Sequence, residues 1–93
     1  MTDITSDCTF RKATVGELTF LSIVTPATAA SSDTIDLDSD ISNGRGMILD
    51  TILNTLLQDD AGADKTATWD PDTGIITLGT ISTGIHNLLV IGK

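Results

Sequence analysis

The chain has 93 residues, 13 acidic against 5 basic, and a formal charge of −8. That length holds one hydrophobic core and no second domain. The acid excess argues against direct nucleic-acid binding, no apolar run approaches the 18 or so residues of a membrane helix, and one Cys with one His cannot build a zinc site.

Residues 1–12 are polar and weakly patterned, and they read as an extended N-terminal arm ahead of a single β-rich domain over 13–93. The arm lacks the basic and apolar regions of a signal peptide. It ends on Phe10-Arg11-Lys12, which holds two of the basic residues. Cys8 has no partner in the chain and reads as a small apolar residue, compatible with a reducing cytoplasm. Residues 13–25 alternate, and a strand is expected from about Leu18 to Thr25, ended by Pro26. PATAASSD, 26–33, is a small-residue loop.

Residues 34–41, TIDLDSDI, alternate strictly. Ile35, Leu37 and Ile41 share one face, and Asp36, Asp38 and Asp40 share the other, as in a half-buried strand with acids toward solvent. Ser42 to Gly46 is a turn carrying the exposed Arg45. Over 47–58 the apolar residues repeat every four positions, which fits a helix better than a strand. Asp59 and Asp60 at the negative end of a helix dipole, and the many Thr and Ile, argue the other way. Asp59 to Asp64 is an acidic loop. Residues 65–79 form a hairpin: KTATWD alternates, Pro71-Asp72-Thr73-Gly74 turns, and Ile75 to Leu78 returns. A last strand covers 85–91.

The composition agrees with these elements. Sixteen Thr, 11 Ile and 10 Leu against only Phe10, Phe20 and Trp69 as aromatics give an aliphatic, β-branched chain. The expected fold is mainly β, a small antiparallel sandwich or barrel, with 47–58 as its one short helix if the four-residue period prevails. So few aromatics leave a thin core, and small domains of this kind gain stability by oligomerising.

Several patterns touch on chemistry without completing it. Asp72-Thr73-Gly74 spells the aspartic-protease triplet, but it follows Asp70-Pro71 late in the chain, where a hairpin turn explains it. Asp36, Asp38 and Asp40 space oxygen ligands as a calcium loop does, yet Ile41 and Met47 stand where that loop needs Gly and Glu. His86 reads as an outward strand residue beside Asn87, with no nucleophile motif around it. Trp69 reads as a core or interface anchor. Gly44-Arg45-Gly46 lacks the residues of a phosphate loop. No catalytic residue, cofactor site or metal ligand is expected.

From about Asp33 to Lys93 the chain resembles the small capsid-decoration (cement) proteins of tailed bacteriophages. The resemblance lies in Asp33-Thr34-Ile35-Asp36-Leu37, in Thr68-Trp69-Asp70-Pro71-Asp72-Thr73-Gly74-Ile75-Ile76-Thr77-Leu78, and in Thr83 to Gly92. It implies a structural virion protein made in the host cytoplasm. Such a protein sits on the head surface and clamps neighbouring major capsid proteins, is often trimeric, and often uses an N-terminal arm. Phe10, Arg11, Lys12, Arg45 and Trp69 are then the expected capsid or subunit contacts, and deleting residues 1–12 should abolish capsid binding while leaving the domain folded. The alternative is a cell-surface or secreted module for carbohydrate or calcium.

Overall fold

A computed structural model describes residues 2–37, 52–70 and 73–92. Two antiparallel sheets pack face to face as a small sandwich. The larger contains β1 (Thr9–Val15), β2 (Leu18–Val24), β4 (Ile52–Asp59), β5 (Asp64–Lys65) and β8 (His86–Gly92), in the order β1-β2-β8-β4-β5. The smaller contains β3 (Thr34–Asp36), β6 (Ala67–Trp69) and β7 (Ile75–Leu78), in the order β3-β7-β6.

Alternation builds the core. Leu21 and Ile23 on β2, Leu57 on β4, and Leu88 and Val90 on β8 point inward, where they meet Ile35, Leu37, Ile76 and Leu78 from the other layer. Each such side chain contributes about 1.5–3 kcal/mol when fully buried. The indole of Trp69 packs on this core, and its Nε1 donates to the Ile52 carbonyl across the layers at 3.3 Å.

The N-terminal residues depart from the expected arm. Residues 2–4 run beside β3: Ile4 N–H donates to Thr34 O at 2.9 Å, and Thr34 N–H donates to Thr2 O at 2.8 Å. A 3-10 turn, Thr5–Asp7, then crosses to the larger sheet. Thr5 Oγ1 accepts from Asp36 N at 2.8 Å, and Ile4 and Cys8 are buried. The boundary expected after Lys12 falls inside β1. The apolar anchors Ile4, Cys8 and Phe10 are spaced too widely to show as a pattern.

A second departure is β4. Residues 52–59 form a strand where the four-residue period favoured a helix; residues 47–51 lie outside the described part. The ladder with β8 slips between Ile52 and Asn54, so that Leu53 bulges out and is exposed. A bulge shifts the inward phase by one residue. Ile52 faces in before it and Leu57 after it, while Leu56 faces out. A strand apolar on both faces with one phase shift imitates helical spacing.

The expected 65–79 hairpin is present as β6–β7, with Gly74 at φ 72 in its turn. Its first arm is divided. Asp64 and Lys65 pair with β4, and the chain changes layers at Thr66 before β6. β2 and β8 fall close to their expected bounds. Of the expected 34–41 strand, 34–36 is observed, and residues 38–41 lie outside the described part.

Candidate interaction surface

β1 is the seven-residue edge of the larger sheet, and among the described residues no strand pairs with its other side. It joins β2 through Gly16-Glu17, with Gly16 at φ 61, the positive value that the first corner of a two-residue hairpin turn demands. Such a turn closes on a hydrogen-bonded pair, here Val15 with Leu18, and the ladder alternates from there. Ala13 and Arg11 therefore direct their N–H and C=O groups to β2. Thr14 and Lys12 direct theirs to the open edge. From Arg11 to Val15 every side chain is exposed, whichever face it occupies. The hairpin tip thus projects beyond the cover of the smaller sheet.

The expected contact residues divide between places. Arg11 and Lys12 are neighbours on β1 but point to opposite faces, Arg11 outward with Ser22 and Lys12 on the inner side with Leu21. Phe10 turns in and is half-buried against the core. Trp69 lies on β6 in the other sheet, half-buried, as an anchor between layers. Arg45, Asp38, Asp40 and Asp72 lie outside the described residues. Thr14 was missed. The signal for it was Gly16-Glu17, a two-residue turn inside what reads as one alternating run from 13 to 25.

Two shallow clefts lie elsewhere. One, of about 310 Å³, is lined by Asp59, Lys65, Ser82, Thr83, Gly84 and His86. His86 is 2% exposed, which corrects its expected outward orientation: it shares the inner face with Leu88 and Val90. The inward phase of β8 starts at His86 because Thr25 holds that end. Thr25 N–H donates to His86 O at 3.0 Å, and Thr25 Oγ1 accepts from His86 N at 2.8 Å. The imidazole Nδ1 lies 3.0 Å from the Gly84 carbonyl, which can only accept, so Nδ1 carries the proton. Nε2 is buried without a hydrogen-bond partner in the structure.

Asp59 faces His86 across the strands. Its Oδ1 accepts from Ala63 N at 2.8 Å and from Ala61 N at 2.9 Å, and Oδ2 lies 3.9 Å from Lys65 Nζ. The Ala63 N–H is the main cause holding its carboxyl below the usual range. Partial burial opposes this, and Ala61, Lys65 and His86 add to it. The carboxylate is thus committed to closing the 59–63 turn, and the half-buried ion pair, at 3.9 Å, adds little. The second cleft, about 390 Å³, runs along Thr68, Trp69, Asp70, Thr73, Ile75 and Thr77. Among the described residues no three His, Cys, Asp or Glu side chains group as metal ligands. No known protein family, curated protein or solved structure matches the chain.

Proposed function

We propose that the chain is a structural virion protein of the capsid-decoration (cement) type, which docks on the outer surface of a viral head by offering the β1 edge to a strand of the major capsid protein. The observation that supports this reading most is the projecting β1–β2 hairpin, with the main-chain groups of Lys12 and Thr14 turned to an edge on which no strand pairs among the described residues. Strand addition takes its affinity from main-chain hydrogen bonds and its selectivity from side chains on alternate faces. Lys12 and Arg11 bring positive charge to this edge in a chain of net charge −8. An acidic body around a cationic edge favours one docking orientation and keeps the protein soluble before assembly. The role expected of a free arm passes to this hairpin, and the resemblance over 33–93 supplies the capsid as partner.

Deleting residues 1–12 is a poor test, because it removes buried Ile4 and Cys8 and the first four of the 7 residues of β1. Thr14→Pro is a sharper one. Proline removes an N–H that faces the open edge, a position where edge strands tolerate it, and leaves the β2 ladder in place. The variant is expected to keep its circular dichroism spectrum and lose co-sedimentation with empty heads assembled from the capsid protein encoded beside it. Ala13→Ser, whose N–H faces β2, should bind as the wild type does. Undiminished binding by Thr14→Pro, or a gene with no capsid gene as neighbour, would contradict the reading.

A further inference from the structure

We propose that the outer face of the larger sheet is covered by a second copy of this chain, giving a two-fold dimer packed sheet on sheet. The register assigns the face. Residues opposite each other in antiparallel strands share a side, and Leu88, Val90, Leu21 and Ile23 are inside. The other side therefore presents Leu18, Phe20, Val24, Leu56, Leu89 and Ile91, with Val15 at one corner. Val15 is 65% and Leu56 49% exposed. Among the described residues no second layer packs on this side.

Its charge pattern selects the occupant. In a chain with 13 acidic residues, the described part of this face carries one acid and one base. Arg11 lies on β1 at one edge, and Asp64 lies on β5 at the opposite edge, where Gln58 Nε2 donates to its Oδ1 at 3.2 Å. The two stand one row apart along the strands. A two-fold axis parallel to the strands lays β1 of each copy over β5 of the other. Each Arg11 then meets the other copy's Asp64, with the row offset within reach of a guanidinium side chain. The same patch serves both partners, as a closed two-fold interface requires. Strands on the two sides run nearly aligned, the usual arrangement of stacked sheets.

The area is sufficient. Four long strands, each ~4.8 Å wide, cover about 19 Å, the two-residue β5 adds a little at one edge, and seven residues reach about 23 Å along them. Allowing for side-chain relief, the pair removes roughly 1,200 Å² in total, the lower end for specific interfaces. The dimer is therefore a concentration-dependent one. Its face is separate from the main-chain groups of Thr14 and Lys12 that the docking reading rests on; Arg11 is the one side chain shared by both, so its variants are read for association only.

Sedimentation velocity of the full chain across a range of concentrations tests this. A reversible monomer–dimer equilibrium is expected. Leu56→Asp should weaken it at least tenfold with an unchanged circular dichroism spectrum. Arg11→Asp should weaken it by placing two acids together, and the double variant Arg11→Asp, Asp64→Arg should restore it. A monomer at all concentrations, a trimer, or a charge swap that fails to restore association would overturn the proposal. Leu56→Asp should still bind heads and Thr14→Pro should still dimerise, so the two readings fail separately.

Discussion

Asp59 shows how one carboxylate can close a turn that the sequence presents only as an acidic loop. It gathers the Ala61 and Ala63 N–H groups, and the Ala63 bond is the main cause of its lowered pKa. A carboxyl with a lowered folded pKa stabilises the fold fully above its unfolded value, ~3.9, and loses that contribution as pH falls through the folded value. Asp59→Asn keeps an oxygen acceptor but lacks the charge. The wild type is therefore expected to melt higher than this variant at pH 6, with the gap narrowing below about pH 4. Thermal melts at both pH values check this; a constant gap would show that the charge is not the cause. His86 is the residue whose place was least legible. Its burial depends on Thr25, 61 positions away, and no local pattern reports such a contact.

At the scale of elements, the strands whose alternation is undisturbed were readable: β2, β7, β8 and the β6–β7 hairpin all lie where the sequence places them. Two devices hid the others. The bulge at Leu53 gave β4 a helical period. The change of layer at Thr66 cut the run from Lys65 to Trp69 into two strands of different sheets. Gly79 marks that crossing: its N–H donates to Thr66 O at 2.8 Å, and a Cβ placed on it would lie 2.6 Å from that same oxygen. Gly79→Ala is expected to destabilise the fold by about 1–3 kcal/mol, since backbone must move to relieve the overlap. Chemical denaturation measures it. A loss below about 0.5 kcal/mol would mean that the approach relaxes freely.

For the whole molecule, the low aromatic count and the charge of −8 were legible as signs of a thin core and a solvated shell. What they could not show is how unevenly the shell is distributed. Among the described residues the outer face of the larger sheet is nearly free of acids, and the projecting β1–β2 hairpin carries Arg11 and Lys12. That distribution arises from strand order, β1 at one edge and β5 at the other, which brings together residues far apart in the chain. The N-terminal segment, tied to β3 and then continued as β1, joins both layers and holds the edge strand in place. The most direct test of docking through that edge is amide hydrogen exchange, resolved by residue, with and without empty heads. In the free chain, Lys12 and Thr14 should exchange rapidly and Arg11 and Ala13 slowly. On binding, Lys12 and Thr14 should gain protection. Binding that leaves those two amides in rapid exchange would contradict the account.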